Sequence, residues 1–318
     1  MENNKNNGHI AFVFPGQGSQ SIGMLAELAS SHAIITETFE QASDALEFDL
    51  WKLIQHGLAD ELNQTYNTQP AMLTAGVAVW RLWCQQSDIR PTWVAGHSLG
   101  EYTALVCAEA MHFDDALKLV TERGRLMQEA VPVGVGAMAA ILGLKDQQVI
   151  DVCEQVAENE VVSAVNFNSP GQVVIAGHVA AVERAMLAAK EVGAKRAIKL
   201  PVSVPSHCSL MESAAKKLHV KLQQIKVNLP KITLIHNVDA NHHESPEIIC
   251  NALIEQLFKP VRWVESINAM HNQGATSFVE LGPGKVLMGV NKRIVKTANH
   301  STLYDLKTLD TVLEKLNG

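Results

Sequence analysis

The sequence predicts an α/β protein built on a parallel sheet, with a smaller unit inserted into a larger one. Two short apolar runs, at residues 10–14 and 93–95, are typical of buried strands, and each ends at glycine or proline. Segments with apolar residues at helical spacing, such as 71–83, lie between and after them. Alternating strands and helices indicate a parallel sheet covered by helices on both faces.

Residues 137 to 200 follow a different order. The predicted elements are a strand at 137–142, a helix at 145–158, strands at 161–167 and 172–176, a helix at 180–192 and a strand at 197–200. This β-α-β-β-α-β order is typical of a ferredoxin-like unit with its own four-stranded sheet. Glycines at 134 and 136 and prolines at 201 and 205 flank it. We therefore predict a small domain over 133–201 and a large α/β domain from 1–132 and 202–318.

After the insertion the pattern of the large domain returns. The predicted elements are a helix around 211–224, a strand at 232–236, a helix at 248–258 ended by Pro260, a strand at 277–281 and helices near 285–295 and 308–316.

Composition and charge exclude several classes of protein. The 318 residues carry a formal net charge of −7 with scattered Lys and Arg, so nucleic acid is not an expected partner. Five cysteines without a C-x-x-C pair predict neither a disulfide framework nor a zinc site and suit a reducing cytoplasm. The Asn-rich residues 1–9 lack the apolar core of a signal peptide, and no run approaches the ~20 apolar residues of a membrane helix. We expect a soluble cytoplasmic protein.

The run Gly96-His-Ser-Leu-Gly100 matches G-x-S-x-G between a predicted strand and a helix that begins near Glu101. Small residues on both sides of Ser98 permit a sharp turn that projects the hydroxyl from the top of the sheet, as in α/β-hydrolase-like folds. The following helix adds free N–H groups and the positive end of its dipole, which favour a developing oxyanion. The large domain is therefore predicted to be α/β-hydrolase-like, with Ser98 as a candidate nucleophile.

A nucleophilic serine needs a base, because its hydroxyl is weakly reactive at neutral pH. His207 lies in the proline-stiffened run Val204-Pro-Ser-His-Cys208, where the chain returns to the large domain immediately before a helix. That placement suits a catalytic imidazole. The residues alone do not distinguish it from His112 or His271 among the 13 histidines.

Arg123 is predicted to face the protein interior. Apolar residues at 116, 119, 120, 127 and 130 form one stripe of a helix opened by two aspartates; Arg123 falls on that stripe and Arg125 falls off it. A buried guanidinium needs a partner, because an unpaired buried charge costs several kcal/mol. The partner is either a protein carboxylate or a ligand, and beside a nucleophilic serine an acidic substrate is the favoured interpretation.

Eight runs, one of which contains the serine motif, form a pattern that spans nearly the whole chain. Because they occur in family order, the chain resembles the malonyl-CoA:acyl carrier protein transacylases of bacterial type II fatty-acid synthesis. The runs that carry the resemblance are Phe14-Pro-Gly-Gln-Gly-Ser-Gln20, Thr68-Gln-Pro-Ala71, Gly96-His-Ser-Leu-Gly-Glu101, Glu122-Arg-Gly124, Pro205-Ser-His207, Asn237-Val-Asp239, Pro260-Val-Arg-Trp263 and Glu280-Leu-Gly-Pro-Gly284.

The resemblance implies a role for each matching residue. Ser98 is the implied nucleophile and His207 the implied base, oriented by a backbone carbonyl that corresponds to Gln256. The backbone N–H groups of Gln17 and Leu99 are the implied oxyanion hole, in which one donor is typically worth about 10²–10³ in rate.

Arg123 is implied to bind the malonyl carboxylate, for which its fork geometry is suited. His97 and Gln69 are implied to line the substrate pocket. Acetyl-CoA would leave the buried Arg123 unpaired, and polar sites of this kind reject a deficient analogue by about 10⁴ or more.

The implied reaction is ping-pong transfer of malonyl from malonyl-CoA to the phosphopantetheine thiol of acyl carrier protein. No cofactor or metal is expected, because coenzyme A and phosphopantetheine arrive with the substrates, and a monomer is expected. The basic pairs at 195–196 and 292–293 are candidate contacts for an acidic carrier, and the alternative is ordinary solvated surface charge. The alternatives are an acyltransferase acting in trans for a polyketide synthase and an acyl hydrolase.

Overall fold

The computed structural model describes residues 9–202 and 204–317, apart from the side chain of residue 317. Its strands are β1 (Ile10–Phe14), β2 (Trp93–Gly96), β3 (Gly136–Leu142), β4 (Val162–Ser169), β5 (Gln172–His178), β6 (Arg196–Lys199), β7 (Thr233–Ile235), β8 (Ser277–Leu281) and β9 (Asn299–Leu303). The predicted polar leader lies outside the described residues, apart from His9.

The helices surround these strands, and a short 3-10 turn, Ser209–Met211, precedes α10. They are α1 (Ala26–Ser31), α2 (Ala33–Leu46), α3 (Leu50–His56), α4 (Ala59–Leu62), α5 (Thr65–Gln86), α6 (Gly100–Cys107), α7 (Phe113–Ala130), α8 (Asp146–Val156), α9 (Val179–Glu191), α10 (Glu212–Leu222), α11 (Pro246–Glu255), α12 (Trp263–Asn272), α13 (Val286–Ile294) and α14 (Leu306–Asn317).

The larger sheet has five strands in the order β7-β2-β1-β8-β9. Every neighbouring pair in it is parallel. Both faces of the central strand β1 are buried, because Phe12 and Phe14 pack into one apolar cluster and Ala11 and Val13 pack into another. A strand that is apolar on both faces needs helices on each side of the sheet. The predicted α/β fold with a parallel sheet is confirmed.

The smaller sheet has four antiparallel strands in the order β4-β5-β3-β6. Its elements follow the predicted strand and helix order between residues 136 and 199. Ile141 and Ile175 face the apolar cluster that holds α8 and α9, whereas Met138 and Val174 face a cluster that includes Cys208. The second sheet is therefore present as predicted, and the bounds 133–201 stay a prediction.

Strand β4 also contacts the segment before α12. The N–H of Phe167 donates to the carbonyl of Val261 at 3.0 Å, and the N–H of Val261 donates to the carbonyl of Val165 at 2.8 Å. These bonds bring the end of β4 close to the carboxyl end of β2, where Asn168 Oδ1 lies 2.8 Å from His97 Nε2.

Three elements differ from the sequence prediction. Helix α5 begins at Thr65 and contains Pro70, although the sequence predicted its apolar pattern from residue 71. Proline removes one helical hydrogen bond, and the buried packing of α5 on both sides of Pro70 compensates for it. The sequence prediction contains neither α12 nor β9. Among residues 9–202 and 204–317, strand β9 pairs only with β8, and it carries Asn, His, Ser and Thr.

Within the part of the chain that the structure describes, no helix combines the length and the apolar character needed to cross a membrane.

Candidate active site

Ser98 lies at the sharp turn between β2 and α6. Its φ of 53° is in the left-handed region, which a non-glycine residue adopts at a cost of about 1–3 kcal/mol. The turn also needs its two glycines: a Cβ on Gly96 would lie 1.9 Å from the carbonyl atoms of Gly100, and a Cβ on Gly100 would lie 2.1 Å from the carbonyl oxygen of Phe14. The sharp strand-to-helix turn predicted from G-x-S-x-G is present.

His207 approaches Ser98 from the loop that follows the small sheet. Its Nε2 lies 2.8 Å from Ser98 Oγ, and its Nδ1 lies 2.6 Å from the carbonyl oxygen of Gln256. Its own N–H donates to the carbonyl of Leu257 at 2.9 Å, so ring and backbone are held by the same segment. Because a carbonyl only accepts, the proton of the neutral ring belongs on Nδ1, and Nε2 is free to accept from the serine.

Burial, and then the positive charge of Arg123, lower the pKa of His207 to about 3. The imidazole is therefore neutral at neutral pH, which is the state that accepts a proton. The two other histidines left open by the sequence lie elsewhere: His112 is an exposed residue at the start of α7, and His271 bonds to the carbonyl of Ala275. The structure places only His207 of these three against Ser98.

Arg123 is almost fully buried on α7, with 1% of its surface exposed. Its Nη1 donates to Gln69 Oε1 at 2.9 Å, and its Nη2 donates to Gln256 Oε1 at 3.0 Å. Nη2 also lies 3.4 Å from Ser98 Oγ. The guanidinium stands 5.4 Å from the centre of the Tyr102 ring, which adds a cation–π contact.

No carboxylate in the described residues forms an ion pair with Arg123. Its neighbours are neutral amides, and its Nε finds no acceptor among those residues. Arg125, two residues further along the helix, is exposed and pairs with Glu122 and Glu129. The helical stripe thus predicted which arginine is buried, and the buried one keeps its positive charge beside the serine without a direct ion pair among the described residues.

The loop that carries Gln17 packs against the turn that carries Leu99. Gly16 packs so closely that a Cβ on it would lie 2.4 Å from the carbonyl oxygen of His97 and 3.8 Å from the nitrogen of Leu99. Neither the N–H of Gln17 nor that of Leu99 donates to another group among the described residues. The loop after β1 is therefore held against the turn at Ser98.

The two other predicted pocket residues contact different elements. Gln69 is buried on α5, where its Nε2 lies 3.5 Å from Met127 Sδ and its Oε1 accepts from Arg123. His97 is half-buried, packs on the ring of Trp263 at 5.4 Å and bonds to Asn168 of the small sheet. Burial lowers the pKa of His97. All eight predicted site residues thus belong to the surroundings of Ser98.

The sequence assigned no role to two residues that hold this site, Glu101 and Asn237. Glu101 is fully buried and accepts from His236 Nδ1, the N–H of Asn237 and Gln256 Nε2. Asn237 bonds to the backbone of Ser98 and of Gly96. Glu101 and Asn237 both occur in the motifs quoted above, but only their buried contacts show what they do. Among the described residues no three His, Cys, Asp or Glu side chains form a group that could hold a metal ion.

A serine that has both a base and a buried cation within reach suits acyl compounds that carry an acid group. Fold and site together define an enzyme of the serine acyl-group class, either a transferase or a hydrolase. The sequence matches the family model described as acyl transferase domain over residues 11–308.

Similar proteins narrow this class of enzyme to one family. The malonyl CoA-acyl carrier protein transacylase of Escherichia coli strain K12 is 56% identical over 305 residues, which cover 96% of this chain and 99% of that protein. An acyl carrier protein S-malonyltransferase from Vibrio cholerae has a crystal structure with 54% identity and a TM-score of 0.94, covering 96% of this chain and 99% of that one. A malonyl-transacylase solved in complex with a type II PKS acyl-carrier protein has 51% identity and a TM-score of 0.95, with coverage of 96% and 99%. The chain belongs to the family of malonyl CoA-acyl carrier protein transacylases.

Proposed function

We propose that this enzyme transfers malonyl from malonyl-CoA to the phosphopantetheine thiol of acyl carrier protein, for fatty-acid synthesis, through an ester on Ser98. The observation that carries the proposal is the buried guanidinium of Arg123, whose Nη2 lies 3.4 Å from the Ser98 hydroxyl and which has no carboxylate partner among the described residues. A substrate with a carboxylate two bonds from its thioester carbonyl places its charge on Arg123 while the carbonyl meets Ser98.

The dyad performs both half-reactions. In the first, Ser98 Oγ attacks the thioester carbonyl while His207 Nε2 takes the hydroxyl proton; the C–S bond breaks, and the proton leaves with the thiol of coenzyme A. In the second, the carrier thiol gives its proton to His207 and attacks the ester, and Ser98 Oγ regains a proton as it departs. The Gln256 carbonyl keeps the Nδ1 proton in place throughout.

Two N–H groups stabilise the tetrahedral intermediate. The free N–H groups of Gln17 and Leu99 lie on adjoining loops at the turn of Ser98, and pre-oriented donors of this kind lower the barrier without reorganisation. His97 and Gln69 complete the pocket: Gln69 holds one arm of Arg123, and His97 connects the turn to Asn168 of the small sheet.

The domain description extends the observed architecture. We assign an α/β-hydrolase-like large domain to 1–132 and 202–318 and a ferredoxin-like small domain to 133–201. The position of Ser98 at the carboxyl end of β2 supports the first assignment, and the order β4-β5-β3-β6 supports the second. The enzyme is expected to act in the cytoplasm as a monomer, without metal or resident cofactor and without nucleic acid as a partner.

An acidic carrier needs a positive surface near the site. Lys195, Arg196, Lys292 and Arg293 are exposed, and Arg293 donates to Gln172 of β5 at 3.0 Å. This contact brings the α13 pair beside the small sheet, to which Arg196 of β6 also belongs, so both pairs are candidates for carrier docking.

One experiment separates transferase from hydrolase. The purified enzyme is mixed with malonyl-CoA and its intact mass is measured, and then a phosphopantetheinylated acyl carrier protein is added. We expect a malonyl adduct that is absent in Ser98→Ala and that is discharged onto the carrier. Steady release of free malonate with no transfer would favour the hydrolase, and transfer only to a polyketide carrier would favour the polyketide alternative. The absence of both an adduct and turnover would overturn the proposal.

The pH dependence of acylation follows from the lowered pKa of His207. Because that pKa is about 3 rather than about 6.5, kcat/KM is expected to stay level from pH 8 down to about 5. In the bound complex the malonyl carboxylate neutralises Arg123, which removes part of the repulsion and raises the pKa of His207. The acid limb of kcat should therefore lie at higher pH than that of kcat/KM.

Single-turnover acylation rates between pH 4 and pH 8, at substrate concentrations below and above KM, show whether kcat/KM stays level and whether kcat begins to fall at a higher pH. Malonyl-pantetheine serves as the control substrate, because it lacks the phosphate of coenzyme A that titrates near pH 6. A kcat/KM that halves near pH 6.5 with both substrates would show that the imidazole has its ordinary pKa.

A further inference from the structure

Glu101 is a fully buried carboxylate that does not reach the Ser98 hydroxyl. It lies in the first turn of α6, with 0% of its surface exposed. Its Oε1 accepts from His236 Nδ1 at 2.7 Å, and its Oε2 accepts from the N–H of Asn237 at 3.1 Å and from Gln256 Nε2 at 2.7 Å. A buried carboxylate with three donors is held firmly and in turn fixes the groups that donate to it.

Gln256 is the link between Glu101 and the reacting groups. Its Nε2 donates to Glu101 and also to the carbonyl of Ser98 at 2.9 Å, whereas its Oε1 accepts from Arg123 Nη2 at 3.0 Å. Its backbone carbonyl accepts from His207 Nδ1. One residue therefore contacts the nucleophile, the base and the arginine that faces the acyl group.

A primary amide has a donor end and an acceptor end, and turning it over exchanges them. Oε2 of Glu101 meets two N–H groups and acts as acceptor, so the NH₂ end of Gln256 must face it. The carbonyl end of the same amide must then face Arg123. Without the carboxylate, the NH₂ of Gln256 keeps only the Ser98 carbonyl as an acceptor and loses its charge-assisted bond. The amide is then held less firmly, and the guanidinium that donates to its Oε1 loses its fixed position.

The backbone of Ser98 has a second support that does not depend on this amide. Asn237 Oδ1 accepts from the N–H of Ser98 at 2.7 Å, and Asn237 Nδ2 donates to the carbonyl of Gly96 at 2.7 Å. Glu101 contacts only the backbone N–H of Asn237, so the orientation of that side chain is set by the turn itself. Loss of Glu101 should disturb Arg123 more than Ser98.

We infer that Glu101 is a positioning residue that fixes the amide of Gln256 and thereby aligns Arg123 for the carboxylate of the acyl group. The inference rests on the proposed function and adds to it a determinant of selectivity that lies behind the reacting groups. It makes a specific distinction: Glu101 supports reaction with malonyl-CoA, which uses Arg123, and is of little consequence for slow reaction with acetyl-CoA, which does not.

The test replaces Glu101 with methionine, which is of similar length and removes both acceptor oxygens. We expect kcat/KM for acylation by malonyl-CoA to fall about 30- to 100-fold, as for a group displaced by about 1 Å. Acylation by acetyl-CoA should change less than about threefold. Equal losses with both substrates would show a general structural role, and unchanged selectivity in a folded variant would overturn the inference.

Glu101→Gln is the matched control. It keeps one carbonyl oxygen for Gln256 Nε2 and can turn its own NH₂ to His236 Nδ1, because His236 Nε2 has no partner among the described residues and can take the ring proton. A neutral acceptor holds the amide less firmly than a carboxylate. We expect a loss of about threefold to tenfold with malonyl-CoA and no change with acetyl-CoA. If Glu101→Met does not fold, Glu101→Gln provides the test. A loss with malonyl-CoA and not with acetyl-CoA would support the positioning role, and equal rates with both substrates relative to wild type would contradict it.

Wild-type enzyme is assayed first for the malonyl adduct and its discharge onto the carrier. Failure there contradicts the proposed function, whereas a wild type that transfers malonyl and a Glu101 series without a split between substrates contradicts only the positioning role.

Discussion

Arg123→Ala is expected to lower kcat/KM for acylation by malonyl-CoA about 10⁴-fold while leaving acetyl-CoA almost unaffected. The guanidinium is 1% exposed and is held by two amides rather than by a carboxylate, so its charge is available to a ligand at little cost in reorganisation. Sites built on such a buried polar pair discriminate against the deficient analogue by about 10⁴–10⁵. The measurement is the rate of Ser98 acylation by each thioester, followed by intact mass.

Arg125→Ala provides the control for that measurement. It lies on the same helix two residues away, but it is exposed and pairs with Glu122 and Glu129. Exposed pairs contribute about 0–1 kcal/mol, so both rates should stay close to those of the wild type. Arg123→Lys should recover only part of the activity, because an ammonium cannot replace the two parallel N–H groups of the fork. A malonyl preference that survives Arg123→Ala would contradict the assignment.

Ser98→Ala is expected to abolish the covalent adduct, and His207→Ala to slow its formation by about 10²–10⁴. The double variant should be no worse than Ser98→Ala alone, because residues that act as one unit do not contribute additively. The physical reason is the 2.8 Å contact between Ser98 Oγ and His207 Nε2, through which the base activates the hydroxyl. Rapid-quench acylation assays with malonyl-CoA measure each step.

His112→Ala is the control for the base. His112 is exposed at the start of α7, makes no capping bond through its side chain and was left open by the sequence as an alternative. Its replacement should leave the acylation rate unchanged. If His112→Ala, and not His207→Ala, slowed acylation, the dyad would be wrong.

Local patterns explain why much of the architecture could be predicted. The apolar runs of β1 and β2 indicate strands buried on both faces. The order of strands and helices in the small sheet can be predicted because its short segments have clear periodicity. The edge strand β9 lacks that signal, because a strand with one free edge tolerates polar residues. Helix α5 extends past Pro70 because its burial outweighs one lost hydrogen bond.

The sequence by itself predicted Ser98 as the candidate nucleophile and Arg123 as a buried arginine. Ser98 lies in a five-residue pattern whose glycines are required by the turn, and Arg123 lies on the apolar stripe of a single amphipathic helix. Both signals are local, since they depend on residues within one or two turns of the chain.

Among the 13 histidines, the residues alone did not distinguish His207 from His112 and His271, and only the family resemblance pointed to it. The tertiary structure shows that His207 faces the serine and shows what holds the site in place. His207, Gln256 and Asn237 are all more than 100 residues from Ser98 along the chain, and they meet it only after the chain has crossed the small sheet and returned. Glu101 is only three residues from Ser98, but the groups that donate to its carboxylate, on His236, Asn237 and Gln256, also come from distant parts of the chain. Hydrogen bonds between such distant groups depend on how the elements pack, and no periodicity within one element encodes them.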